Sequence, residues 1–357
     1  VKELLKGQKV VEFASVLAGP AVGMFLAELG ADVVKIENAL TKGDSTRHWK
    51  LPGETTGGNT SAYFAAVNYG KEHLFLNLKD PVDLSKAQSL AAKADIVISN
   101  FKAGASRKLG VDYETLKQLN PRLIYAELTG FDSTPNRVAY DVVIQAECGF
   151  MGMNGTPDSG PVKLPLAFID IFAAHHLKEG ILAALYERTK TGVGRKVHCS
   201  LETCALANLG NQASNYLTAG HVAQRIGSLH PNIAPYGETF TCEDGKNIVL
   251  AIGTNKQFQK LTAILDVAEL ATDDRYASNP ERVLNRVALQ EYFTPLFAKS
   301  SRDEILQKLI EADVPCAAVK MMDEVLETSN AQSLVLEDEH DGQTLRRISS
   351  VGFKLSD

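Results

Sequence analysis

Short apolar runs rich in Val and Ile alternate with stretches of helical periodicity through the N-terminal part of the chain. Lys9–Phe13 reads as a strand, Leu17-Ala18-Gly19-Pro20 as a tight turn, the next apolar positions as an amphipathic helix, and Asp32–Ile36 as a second strand. The alternation continues with strands at His73–Leu78, Asp95–Ser99 and Leu123–Glu127, separated by helical patterns over Leu84–Lys93 and near Tyr113–Gln118. This order predicts an α/β fold whose large domain is a Rossmann-like, mostly parallel sheet covered on both faces.

A longer helical stretch follows. Phe172, Leu177, Ile181, Leu182 and Leu185 recur at helical spacing, Arg188 and Lys190 suit the negative end of a helix, and Gly192 suits its exit. Its lead-in, LPLAFID, is apolar except for Asp170, which the pattern places at or just before the helix start. Two readings are open. As a cap, Asp170 would accept orphan N–H bonds for a gain of about 1 kcal/mol. As a nucleophile, its carboxylate would sit among amide dipoles that keep it ionised. Lys196–Cys199 then reads as a further strand and Leu201–Leu217 as a long helix.

The texture changes near Gly220. Two β-like runs, ETFTC and NIVLAIG, flank Glu243-Asp244-Gly245, which is a hairpin signature. Helical patterns follow at Lys256–Ile264, Pro280–Ala288 and Leu289–Lys299, predicting a second, smaller α+β domain. Arg302–Asp313 reads as another amphipathic helix and Pro315–Val319 as a strand that returns to the large sheet. The expected domains are 1–220, 221–300 and a return segment, 301–357, that completes the large domain.

Composition narrows the partners. A chain of 357 residues is long enough for two separate cores. The formal net charge of −6 exerts no long-range pull on nucleic acid or an anionic membrane, so any anion site must be a local basic pocket. Apolar runs fall short of the ~20 residues of a membrane helix, and no signal peptide precedes the first strand, so a cytoplasmic protein is expected. The start at Val1, without Met, fits a short leader that has been trimmed. Cys148, Cys199, Cys204, Cys242 and Cys316 are scattered and odd in number, which reads as reduced thiols. His175 and His176 lack Cys or carboxylate partners at ligand spacing, so no metal site is expected. The first strand–turn–helix lacks G-x-G-x-x-G, which argues against a nicotinamide or flavin cofactor.

Eight strings stand in order along nearly the whole chain: VLAGPAVGMFLAELGADVVKIE (16–37), GDSTR (43–47), NYGKEHLFLNLKDP (68–81), ADIVISNFKAGASRKLGVDYETLKQLNPRLIYAELTGF (94–131), AYDVVIQAECGFM (139–151), Asp170 with its helix, TGVGRKVHCSL (191–201) and HPNIAPYGETFTCEDG (230–245). Together they resemble the class III CoA transferases, the formyl-CoA transferase and carnitine–CoA transferase family. The resemblance implies an interlocked homodimer that moves coenzyme A from an acyl-CoA donor to a carboxylic acid acceptor. It implies no tightly bound cofactor, the CoA thioester being a substrate. Asp170 is the implied nucleophile, forming first a mixed anhydride with the donor acyl group and then an aspartyl-CoA thioester, with backbone N–H groups at its helix start stabilising the oxyanions. Asp141 is the implied acidic neighbour and Tyr140 the residue that orients the acyl group. Val16, Leu76, Lys79, Asn100, Phe101, Lys108 and Leu109 match positions that line the CoA groove in relatives, with Arg47 and Lys71 as further phosphate candidates.

Three departures qualify the resemblance. Asn38 follows KIE where many relatives carry an Arg for a CoA phosphate, leaving Lys42 or Arg47 to substitute. The family also includes α-methylacyl-CoA racemases, which move a proton beside the thioester. This chain has Tyr140 in place of their His and Asn255, within IGTNKQF, in place of their Glu. Tyr, with an ordinary pKa of about 10, is a poor base near neutrality, so racemisation is the alternative and not the first reading. A catalytically silent CoA-binding protein is disfavoured because Asp170 stands within its matched motif. Finally, RIGSLHPNIAPYG holds only isolated glycines, Gly227 and Gly237, where formyl-CoA transferases carry a glycine run, so oxalate/formate exchange is not indicated. Succinyl-CoA or acetyl-CoA is the donor by analogy.

Overall fold

The Val- and Ile-rich runs form the strands their pattern predicts, in a computed structural model that describes residues 3–54, 58–340 and 342–356. β1 (Lys9–Glu12), β2 (Asp32–Asn38), β3 (Lys71–Leu76), β4 (Ile96–Ser99), β5 (Ile124–Thr129) and β6 (Lys196–Ser200) pair in parallel in the order β3-β2-β1-β4-β5-β6. Central β4 is buried along its whole length, as a strand covered on both faces must be. Val11, Val97 and Tyr125 pack with Ala87, Ala91 and Leu116 of the helices Pro81–Ala92 and Tyr113–Leu119. The helix Ala18–Glu28 packs with the long helix Phe168–Thr191, which also packs on β5 and β6. Its approach to β6 requires Gly180, since a Cβ there would lie 2.4 Å from Val197 Cγ1.

Strand order reverses between β1 and β4. The chain moves outward from β1 to β2 and β3 on one side and from β4 to β5 and β6 on the other. The loops leaving the C-terminal ends of β1 and β4 therefore diverge and open a crevice, the usual ligand site of an open parallel sheet.

The chain divides into two compact units. The first comprises 1–150, 163–214 and 329–357, and the second 151–162 and 215–328. In the second unit β7 (Tyr236–Thr241), β8 (Asn247–Ala251) and β9 (Cys316–Ala318) form an antiparallel sheet in the order β7-β8-β9. Phe240 stacks on Phe297 at 4.4 Å within a core that includes Phe258 and Phe293. Capping boxes at Thr254/Gln257 and Ser301/Glu304 start two of its helices, Asn255–Ile264 and Arg302–Glu311.

The expected return of Pro315–Val319 to the large sheet does not occur. Ile305, Leu309 and Val314 belong to the second unit's core, and the chain leaving them is delivered to β8, pairing Ile248 with Ala318 and Leu250 with Cys316. The chain rejoins the first unit at Ser329, where β10 (Val335–His340) and β11 (Gln343–Ile348) form an antiparallel hairpin. The long helix expected over Leu201–Leu217 is two helices, Leu201–Ala207 and Gly210–Ala219. At the break, Asn208 Nδ2 donates to Cys204 O at 2.8 Å, a side-chain bond that competes with continued helix.

Candidate active site

Asp170 is the third residue of the Phe168–Thr191 helix and lies in its first turn. It does not cap that helix. The cap comes from another element: Asp141 Oδ2 accepts from Ile169 N at 2.7 Å and from Asp170 N at 3.3 Å. The N–H groups expected to serve the oxyanions are thus already bonded to Asp141. Asp141 opens the helix Asp141–Glu147, and its Oδ1 accepts from the buried Gln145 amide. Gln145 Oε1 in turn accepts from Leu164 N at 2.8 Å, tying the approach to the Asp170 helix into the same network.

Asp141 thereby takes the helix-start bonds and leaves Asp170 facing a like charge. Asp170 is 8 % exposed, and neither carboxylate has an ion pair among the described residues. Burial first, and then the Asp141 charge, push the Asp170 pKa up to about 7.

Asp170 lines a cavity of about 200 Å³ at the crevice between β1 and β4. Its other walls come from loops at the C-terminal ends of strands: Ser15 and Val16 after β1, Asn100 to Lys102 after β4, and Thr129 and Gly130 at the end of β5. Tyr140, half exposed, is part of this wall. So are Leu17 and Ala18, where the helix Ala18–Glu28 begins without a side-chain cap. Two cations that sequence reasoning did not single out, Lys102 and Arg137, also line it. Lys102 directly follows the expected Phe101, while Arg137 sits in an aperiodic loop, over the Phe131 ring at 4.6 Å and 2.7 Å from Glu147.

A larger cleft of about 690 Å³ shares Ser15 and Phe101 with the first cavity, so the two adjoin. Leu76, Lys79 and Leu109 line it, together with Asn38, His48 and Trp49. Of the nine expected CoA residues, Val16 and Asn100 fall on the small cavity, Phe101 on both, and Leu76, Lys79 and Leu109 on the cleft. Lys108 is exposed beside Leu109 but is not part of either lining. Asn100 pins the dividing turn, accepting from Ser15 N at 3.0 Å and donating to Ser15 O at 2.8 Å.

Arg47 and Lys71 are turned inward, away from a phosphate role. Arg47 is 1 % exposed, with Nε 2.8 Å from Glu37 Oε2, Nη1 2.8 Å from Asn59 O and its guanidinium 3.8 Å over the Phe64 ring. Lys71 pairs with Glu12 at 2.8 Å and donates to Pro20 O and Asn68 Oδ1, and burial pushes its pKa down to about 8. The reason is electrostatic: Glu12 and Glu37 lie inside β1 and β2, and buried carboxylates need cations at hydrogen-bonding distance. Asn38 Oδ1 accepts from Leu40 N at 3.0 Å, so the residue caps a short 3₁₀ turn.

The pattern of CoA-transferase family III matches residues 5–356. Over 338 residues the chain is 38 % identical to the succinate–glutarate CoA-transferase of Agrobacterium fabrum, covering 93 % of this chain and 84 % of that one. It is 33 % identical over 365 residues to the succinyl-CoA:glutarate CoA-transferase of Homo sapiens, covering 99 % and 82 %. The acetyl-CoA:oxalate CoA-transferase of Acetobacter aceti is 35 % identical over 313 residues, covering 87 % and 79 %. A crystal structure of a CAIB/BAIF family protein from Brucella suis superposes with a TM-score of 0.85 at 38 % identity, covering 99 % of this chain and 93 % of that one. No helix among the described residues is long and apolar enough to cross a membrane. Matched by the family pattern over nearly its whole length and by these relatives, the chain belongs to CoA-transferase family III and is a class III CoA transferase that moves CoA between an acyl-CoA and a carboxylate.

Proposed function

We propose that the protein transfers CoA between dicarboxylic acids, with succinyl-CoA as donor and an acid of the glutarate class as acceptor, through covalent intermediates on Asp170. The observation that carries this reading is Asp170 itself: buried, without a cation, and in the wall of a cavity adjoining a cleft roomy enough for a nucleotide. A carboxylate removed from water and facing another negative charge is a stronger nucleophile than a solvated one.

An Asp170 oxygen attacks the thioester carbonyl, the C–S bond breaks, and CoA thiolate leaves a mixed anhydride. The thiolate attacks the aspartyl carbonyl, releasing the donor carboxylate and leaving an aspartyl-CoA thioester. The acceptor carboxylate then attacks that carbonyl and displaces the thiolate, giving a second anhydride. Attack of the thiolate on the acceptor's acyl carbon yields the new thioester and restores Asp170. Protons balance without a general base. With the N–H groups of Ile169 and Asp170 held by Asp141, oxyanion stabilisation falls to the positive start of the helix Ala18–Glu28, which shares the cavity wall.

Lys79 holds a CoA phosphate at the cleft and Lys108, exposed outside the lining beside Leu109, meets one at its rim, while the pantetheine arm passes Ser15 and Phe101, and Val16, Asn100, Leu76 and Leu109 form the groove. Tyr140 orients the acyl group. Lys102 and Arg137 supply cations for the distal carboxylate of a dicarboxylic substrate, which supports the donor and acceptor class named in the curated relatives. Against α-proton exchange speaks Asn255, whose Oδ1 accepts from Arg282 Nη2 at 2.9 Å within the second unit. Family resemblance supports an interlocked homodimer.

The test is incubation with succinyl-CoA followed by hydroxylamine and peptide mass spectrometry. Modification at Asp170, absent in Asp170→Asn, is the expected result, with faster turnover on glutarate than on monocarboxylates. Full activity in Asp170→Ala, or deuterium uptake at the α-carbon of a 2-methylacyl-CoA without an acceptor acid, overturns the reading.

A further inference from the structure

The turn between β1 and the helix Ala18–Glu28 is gripped residue by residue. Lys35 Nζ donates to Ala14 O at 2.6 Å, Asn100 holds both backbone groups of Ser15, and Asp44 Oδ2 accepts from Val16 N at 3.0 Å. Val16 has φ +72°, a left-handed conformation that a β-branched residue enters only when its surroundings impose it. Asp44 is 4 % exposed and its own orientation is over-determined: Lys35 lies 3.1 Å from Oδ2, and Thr46 donates to Oδ1 from both N, at 3.0 Å, and Oγ1, at 2.8 Å. The same Lys35 ammonium thus holds Ala14 directly and Val16 through Asp44. Ser15 forms wall for both cavities, while Val16, Leu17 and Ala18 face the one that holds Asp170.

We infer that Asp44, backed by Lys35, is a positioning residue for the transfer chemistry: it keeps Val16 left-handed, and Val16 sets where the Leu17–Ala18 helix start stands relative to Asp170. The inference rests on Asp170 as nucleophile. Asp44 also borders the larger cleft, so a role in holding CoA would appear in KM and a positioning role in kcat.

Asp44→Asn keeps an acceptor oxygen and removes the charge that Lys35 fixes. It should lower kcat by about tenfold or more while KM for acyl-CoA stays within about twofold, since a small displacement at a reacting centre is read in turnover. Glycine enters the left-handed region without strain, so in a Val16→Gly background the same Asp44→Asn change should cost less than about threefold. Thr46→Val, which removes only one bond to Asp44, should act in the same direction, more weakly, and again be suppressed by Val16→Gly. It carries the test if Asp44→Asn does not fold, as judged by near-UV circular dichroism. Equal losses in both backgrounds, or a loss confined to KM, overturn the inference. Failure of the nucleophile assignment is seen separately, as activity retained in Asp170→Asn.

Discussion

Two groups of carboxylates in the first unit meet opposite fates. At strands β1 and β2 and the loop after β2, Glu12, Glu37 and Asp44 are each matched by cations: Lys35 and Lys71 on Glu12, Lys35 on Asp44, Arg47 on Glu37. Burial alone would raise Glu37, but hydrogen bonds from Arg47 and His73 hold its carboxyl well below the ordinary range. At the crevice, Asp141 accepts from the backbone N–H groups of Ile169 and Asp170, while the Asp170 carboxyl faces that like charge without an ion pair among the described residues, and its pKa rises. Comparable burial of Glu37 and Asp170 thus lowers the pKa of one carboxyl and raises that of the other. The number of cations within reach, and not depth, separates structural acids from chemical ones.

The sharpest way to break this contrast is to remove the unmatched acid. Asp170→Ala should lower kcat/KM at least about a thousandfold, measured as acyl-CoA turnover with an acceptor acid. Asp170→Asn should also raise Tm. A carboxyl whose folded pKa lies above its unfolded value binds its proton more tightly when folded, so its penalty appears as pH rises from about 4 to about 7 and is complete above that. The gain in Tm should therefore be present at pH 8 and absent at pH 4.

Removing a matched acid should do the reverse. Glu12→Gln leaves Lys35 and Lys71 without their shared counter-ion and should destabilise by about 3–5 kcal/mol in urea unfolding. A loss below about 1 kcal/mol would show that the buried pairs are not what holds these strands.

A change at Asp141 tests the coupling between the two crevice acids. Wild-type kcat/KM should fall below about pH 7 as Asp170 takes up a proton. Asp141→Asn removes the like charge and keeps an acceptor for Ile169 N, so the limb should move to lower pH. Asp141→Ala also loses the cap and should lower stability by about 1–2 kcal/mol, whereas Asp141→Asn should not. The smallest expected effect is at the rim: Lys79→Ala should raise KM for acyl-CoA about tenfold, in line with about 1.5–3 kcal/mol for a charge-assisted contact, and leave kcat nearly unchanged.

The order of strands and helices in the first unit was legible because burial rhythm is local. KVVEF, DVVKI and DIVIS carry their strand character in themselves, and the helical spacing from Phe172 to Leu185 carries the Asp170 helix. Asn100 and Phe101 were placed in the groove by their match to family positions, and in the structure both follow the end of β4. What a side chain faces is not local. Lys71 reads as a candidate for a CoA phosphate until Glu12, 59 positions earlier, is brought beside it by parallel pairing through β2. Asp141 reads as an acid near a nucleophile, and only packing makes it the cap of a helix that begins 27 positions later. The destination of Cys316–Ala318 was equally hidden, since a short apolar strand pairs with whichever edge its preceding helix leaves within reach. Sequence alone determined most of the elements through periodicity and set Asp170 at the start of its helix, and the match to family motifs made it the candidate nucleophile. The tertiary structure decided which charges neutralise one another, because that depends on distances across strands that no local pattern encodes.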